Sequence, residues 1–150
     1  MKAYLGWPVS LSVYPQAKDL HVTAKYLGDV TALMHIIGPI RAALEELDTS
    51  LDLTKSCWVP ELWEGPRPSI KNHVLLLNAV PQAAYDVADA LRDLRKDEWP
   101  TWRPHISVPA LAWVHVARMG IPLSAGLTSV GPLTLFVKNP GEDYKGIITL

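Results

Sequence analysis

Short alternations of apolar and polar residues open the chain. Residues 9–14 (VSLSVY) step between apolar and small polar positions, and residues 20–27 (LHVTAKYL) do the same; a period of two predicts β-strands. In the second stretch Leu20, Val22, Ala24 and Tyr26 fall on one face and His21, Thr23, Lys25 and Leu27 on the other, before Gly28-Asp29 ends it. The period then lengthens. Val30, Leu33, Ile37, Ile40, Leu44 and Leu47 recur at steps of three and four, which predicts a helix. Asp29 is placed to cap it, and Gly38-Pro39 should kink it or restart it with Pro39 in the first turn.

Beyond that helix, residues 51–59 read as a strand, 60–69 (PELWEGPRPS) as a proline-rich loop, and 73–80 (HVLLLNAV) as a strongly apolar, central strand. Pro81 opens a second helix, with Ala84, Val87, Leu91 and Leu94 as its apolar stripe. Residues 99–104 form a second loop and 105–108 a short strand. Residues 127–137 and 146–150 are the closing strands, with Gly131-Pro132 as a bulge or break. The order β-β-α-β-β-α-β-β-β makes an α+β fold of two halves, each with strands and one helix. No linker or low-complexity stretch interrupts it, so 1–150 reads as a single domain.

Composition narrows the partners. Of the 150 residues, 49% are hydrophobic and 19% charged, as in a globular domain with a real core. Fourteen basic residues against fifteen acidic ones give a net charge of −1. A protein that tracks a long nucleic acid needs a basic excess, because phosphate neutralisation supplies most of the affinity. A small nucleotide or short oligonucleotide fits this balance, provided its site is locally basic. Nothing implies a protein partner. No apolar run is long enough to span a membrane, and the opening residues lack the basic start of a signal peptide. The single cysteine, Cys57, excludes an internal disulfide, and a cytoplasmic setting is expected. Six Trp and five Tyr against one Phe favour rings with a polar handle, which suit half-exposed stacking surfaces.

Two short segments carry candidate chemistry: His21-Val22-Thr23-Ala24 and His105-Ile106-Ser107-Val108. Residues two apart on a strand share a face, so each segment presents an imidazole and a hydroxyl together, with Val22 and Ile106 turned to the core. Cleaving a phosphodiester beside a ribose requires one group to take a proton from the attacking hydroxyl and another to give one to the leaving oxygen. Two imidazoles with ordinary values of about 6.5 divide that work near neutral pH. Thr23 and Ser107 would donate to the non-bridging phosphate oxygens. Neither segment has the Cys or carboxylate partners of a zinc site, so no metal or other cofactor is expected. Spacing alone leaves open that both histidines are ordinary strand residues.

The flanks add to this. Residues 20–30 (LHVTAKYLGDV) resemble the first signature of the LigT-like 2H (two-histidine) phosphoesterases, roughly H-Φ-T-Φ-x-F/Y-L-G-x-V, where Φ is apolar. Residues 103–108 (RPHISV) resemble their second, (R/T)-P-H-Φ-T/S-Φ, with Ser107 for the commoner threonine. The signatures stand in the family's order, and the resemblance spans roughly Val9 to Val137, most of the chain. The resemblance implies a bilobal 2H phosphoesterase fold, two ferredoxin-like halves around a central groove. It implies His21 and His105 as the acid–base pair, with Thr23 and Ser107 as phosphate ligands. Members act on 2′,3′-cyclic phosphates, 2′–5′-linked oligonucleotides, ADP-ribose cyclic phosphate and cyclic di- and oligonucleotides, so the expected activity is cleavage of a 3′–5′ or 2′–5′ linkage in a small nucleotide. An RNA-end 2′,3′-cyclic phosphodiesterase or 2′–5′ RNA ligase-like enzyme, and a non-catalytic nucleotide-sequestering protein, are the alternatives. Small viral members degrade the cyclic nucleotide signals of antiviral defence, and the length and charge balance are similar to theirs.

For substrate binding, the expected residues are Lys25 and Arg103 near the phosphate, and Trp63, Trp102, Tyr14 and Tyr144 as stacking rings on loops. Lys25 and Arg103 alternate with the motif residues on their strands; a solvated lysine and a surface salt bridge are their plain alternatives. Each ring taken singly is more often a packing residue. His73 fits a structural histidine, and His35 and His115 show no partner pattern. The loop at 139–144 (NPGEDY) either closes over a ligand or is a plain surface turn.

Overall fold

The computed structural model describes residues 1–65, 67, 69–96, 101–119 and 127–150. Its elements run β1 (Lys2–Leu11), β2 (His21–Asp29), α1 (Met34–Leu44), β3 (Cys57–Glu64), β4 (Lys71–Asn78), α2 (Gln82–Ala90) with a 3₁₀ turn at Arg92–Leu94, β5 (His105–Ser107), α3 (Ala110–Met119), β6 (Leu127–Val130), β7 (Thr134–Lys138) and β8 (Lys145–Thr149). The strands form one antiparallel sheet in the order β3-β4-β5-β2-β1-β7-β8, with β6 beside the second half of β1. The α+β class expected from the pattern holds. Among the described residues no helix is long and apolar enough to cross a membrane.

β1 begins earlier than its sequence suggested. Ala3, Leu5, Trp7, Val9 and Leu11 alternate and are all buried, but Gly6 and Pro8 mask that alternation to the eye. A proline inside a sheet loses a ladder bond. Pro8 escapes the penalty by its place: β1 pairs β7 through Gly6 and β6 from Val9 onward, so Pro8 falls at the handover. Its carbonyl accepts from Gly131 N–H at 2.7 Å. The expected break near Gly131-Pro132 is the gap between β6 and β7.

Other boundaries differ for local reasons. Residues 51–56 are not strand, and 57–64 are. Pro60 and the charged residues after it read as loop, yet β3 is an edge strand, where proline costs no central ladder bond. Pro66, Pro68 and residues 97–100 of the expected loops lie outside the described residues. Helix α1 is shorter than the expected span and runs through Pro39; its N-cap is Leu33, and Asp29, the expected cap, closes β2 instead. α3 was absent from the pattern because its sequence is apolar nearly all round; Ala112 and Val116 are its buried positions, and Trp113 N–H bonds to the Pro109 carbonyl at 3.0 Å. One cluster joins Ile40 and Leu44 of α1, Ala84 and Val87 of α2, and Ala112 and Val116 of α3. They pack on Leu5, Trp7, Val22, Trp58, Leu75 and Ile106 from one face of the sheet.

β2 carries a bulge that sets the site. Gly6 pairs with Thr23 but Leu5 pairs with Lys25, so Ala24 is the extra residue. The bulge reverses the phase of alternation. Lys25 is 3% exposed and turned from the face of His21 and Thr23, and its ammonium donates to the carbonyls of Arg92 (3.0 Å) and Arg95 (2.5 Å). Tyr26 takes the open face instead, 44% exposed. Replacing Lys25 with Met should therefore cost about 2–3 kcal/mol of folding stability, read as a lowered urea midpoint at unchanged slope, because two carbonyls lose a charged donor. A lysine on the open face would cost under about 0.5 kcal/mol.

Candidate active site

β2 and β5 meet at one register pair, Val22 opposite Ile106, and both side chains are fully buried. In an antiparallel pair the neighbours on either side alternate, so His21 comes beside Ser107 and Thr23 beside His105, all four on the face opposite the core. Residues 84 positions apart in the chain thus share one small patch of sheet. His21, Thr23 and His105 are half-buried and Ser107 is exposed.

Each histidine is held the same way: a carbonyl two residues upstream at Nδ1 and an aromatic ring against the imidazole. His105 Nδ1–H donates to the Arg103 carbonyl at 2.8 Å. His21 Nδ1 lies 3.4 Å from the Asp19 carbonyl and 3.2 Å from the Tyr4 hydroxyl. A carbonyl only accepts, so Nδ1 of His105 carries the proton and its Nε2 is left to exchange protons with a ligand; Nδ1 of His21 either donates to the Asp19 carbonyl or accepts from the Tyr4 hydroxyl, according to its tautomer. Tyr4 stacks on His21 with ring centroids 4.4 Å apart, and Trp63 lies tilted against His105 at 4.4 Å. Gly6 makes the stack feasible: a Cβ there would stand 2.9 Å from the Val22 carbonyl and 3.1 Å from the Tyr4 ring.

These surroundings shift both imidazoles below their ordinary value. Burial is the main cause for each; the charge of His105 opposes charging of His21, and the charge of Arg103 opposes charging of His105, while the carbonyls act in the other direction. Burial also holds the Tyr4 phenol well above its usual range, so it remains a neutral hydroxyl beside His21.

The expected substrate residues divide. Trp63 and Arg103 flank His105. The Arg103 guanidinium lies over the Trp63 ring, 4.6 Å from its centroid, and 3.6 Å from the Glu61 carboxylate, which also accepts from Trp63 Nε1–H at 3.1 Å. Trp63 stands on a strand, not in a loop. Tyr144 reaches the other side, edge-on to Tyr4 at 4.8 Å. Three do not join them. Lys25 is turned away by the bulge. Trp102 packs between Trp7 and Tyr85 and donates from Nε1 to the Thr23 carbonyl at 3.0 Å, so it braces the motif strand from the core side. Tyr14 packs against His115 at 5.7 Å. Tyr4 and Glu61 were missed; their signal was an alternation that Gly6, Pro8 and Pro60 obscured. A cleft of about 650 Å³ between α1 and Asp93–Arg95 lies apart from the motif residues, none of which lines it.

No protein-family model matches the chain, and no curated protein matches it in sequence. Solved structures do match. A crystal structure of a phosphoesterase is 13% identical with a TM-score of 0.57, covering 99% of this chain and 96% of that one. Escherichia coli LigT in its apo form is 14% identical with a TM-score of 0.55, over 99% and 95% of the two chains. This chain has the LigT fold. LigT complexed with ATP superposes with a TM-score of 0.54 at 13% identity, over 100% and 98%. The LigT-like likeness therefore spans the whole sheet, including the strands that carry both histidine segments.

The lowered histidine values have a consequence for stability. An unfolded chain takes up protons near pH 6.5, ahead of the folded one, so the folded state is favoured above that pH. Stability should fall as the pH drops below about 6.5 toward the folded values. Urea midpoints between about pH 5 and about pH 7.5 check this, and His21→Gln should flatten the dependence.

Proposed function

We propose that this protein is a metal-independent 2H phosphodiesterase that cleaves a 3′–5′ or 2′–5′ phosphodiester beside a free ribose hydroxyl, with His21 and His105 as its acid–base pair. The observation that carries the reading is the juxtaposition of both His-x-hydroxyl segments on adjoining strands, each imidazole with Nδ1 engaged and Nε2 left over. The LigT fold supports it, as does the nucleotide held by the ATP complex of LigT. The finer architecture follows the same reading: β3-β4-β5 and the remaining strands are two lobes hinged at Val22 and Ile106, with the substrate in the groove between them.

In this mechanism a neutral imidazole accepts the 2′-hydroxyl proton at Nε2 as that oxygen attacks phosphorus. The P–O5′ bond breaks, and the charged imidazole gives its proton to the leaving oxygen. The products are a 2′,3′-cyclic phosphate and a free 5′-hydroxyl; with water in place of the ribose hydroxyl, the same pair opens a 2′,3′-cyclic phosphate to a phosphomonoester, one imidazole taking the water proton and the other giving one to the departing ribose oxygen. Thr23 and Ser107 donate to the non-bridging oxygens as charge gathers there. Arg103 disfavours the charged form of His105, and His105 that of His21; the two imidazoles exchange the roles of base and acid with the direction of the reaction. The substrate class is a small nucleotide or short, linear or cyclic oligonucleotide. Degradation of cyclic defence signals is one member of that class, suggested by length and charge balance alone.

His21→Ala and His105→Ala should each lower kcat/KM by about 10²–10⁴-fold with unchanged circular dichroism, while EDTA changes nothing. Full activity in either variant, or loss in EDTA, refutes the mechanism. With both histidine values lowered, kcat/KM against pH should be bell-shaped with its maximum below pH 6.5. The assay incubates the protein with cyclic dinucleotides, cyclic trinucleotides, 2′–5′ oligoadenylate and 2′,3′-cyclic nucleotides, and reads products by mass.

A further inference from the structure

We propose that the open sheet face beyond His21 binds a second nucleotide, so that the substrate carries a nucleoside on each side of the scissile phosphate. The inference rests on the phosphodiesterase reading and adds a site to it. Register puts Tyr4 of β1 opposite Tyr26 of β2 on one side and Phe136 of β7 on the other, all on the face of His21 and Thr23. Tyr4 stacks on Phe136 at 4.9 Å and meets Tyr144 edge-on at 4.8 Å. Tyr26 lies close enough to Tyr144 to help hold its phenol above the ordinary range. A continuous run of rings therefore leads from His21 toward the outer end of β2.

Each outer ring is paired with a cation. Lys138 Nζ lies 5.5 Å from the Tyr144 centroid, and the Arg95 guanidinium 5.0 Å from that of Tyr26. The backbone makes room for the second pair: Gly28, at φ +66°, leaves the space that Arg95 occupies, and a Cβ there would overlap the guanidinium. Half-exposed rings with adjacent cations are what a base and its phosphate need, one for stacking and one for charge. Across the histidine pair, Trp63 and Arg103 repeat the combination. A mononucleoside cyclic phosphate uses one such site; an oligonucleotide cut internally uses both.

The double variant Arg95→Ala/Lys138→Ala tests this. Expected are a KM for a linear ribotrinucleotide raised about tenfold or more, kcat within about threefold, and unchanged turnover of a mononucleoside 2′,3′-cyclic phosphate; Arg95→Lys/Lys138→Arg should restore the KM. A 2′-deoxytrinucleotide, which lacks the attacking hydroxyl, gives a binding readout free of chemistry, and its Kd should rise by a like factor. Equal losses on both substrates, or no change in trinucleotide KM and deoxytrinucleotide Kd, overturn the proposal. If the wild-type protein turns over no substrate but the deoxytrinucleotide affinity still falls in the double variant, the second site stands and the catalytic reading is what fails.

Discussion

The contact between Val22 and Ile106 governs everything else in the candidate site. Two strands distant in sequence meet there at one pair, and both side chains are fully buried. Because side chains alternate along a strand, burying these two apolar residues obliges His21, Thr23, His105 and Ser107 to emerge on the opposite face. A slip of one residue would bury the histidines and expose the aliphatic chains, so the hydrophobic effect that holds the sheet together also holds the candidate catalytic groups in register. Trp102 reinforces it, bonding the Thr23 carbonyl from within the core.

Helices cover one face of the sheet, and the histidine face keeps aromatic rings instead. That asymmetry suits a site that must exchange protons with a ligand. The rings of Tyr4 and Trp63 remove enough water from the imidazoles to lower their values, yet leave them accessible. The Arg103 carbonyl fixes which nitrogen of His105 holds the proton. A histidine pair so arranged resists double protonation, because each added charge opposes the next.

Backbone details permit these side-chain arrangements. Gly6 gives the Tyr4 ring space to lie over His21, Pro8 sits where β1 changes partners, and Gly28 opens room for Arg95. The bulge at Ala24 moves Tyr26 onto the open face and Lys25 off it. None of these features adds a functional group; each decides which groups meet.

What the sequence by itself determined is the part governed by local periodicity. The alternation around His21 and around His105, the apolar strand that became β4 and the stripe of α2 depend on neighbours two, three or four residues away, and such spacing is written in the chain. The sharing of a face by His21 with Thr23, and by His105 with Ser107, was legible for the same reason. Only the tertiary structure decided that the two segments adjoin, since no local rule links residues 84 apart. It also decided that Lys25 turns inward, because a bulge appears only when a strand is matched against a particular partner. It brought Trp63 against His105, and Glu61 against Trp63 and Arg103, through an edge strand whose proline and charges read as loop, and it set Tyr4 beneath His21 through pairing with β2. Long-range pairing selects among local possibilities by the burial it achieves, and that choice belongs to the assembled sheet.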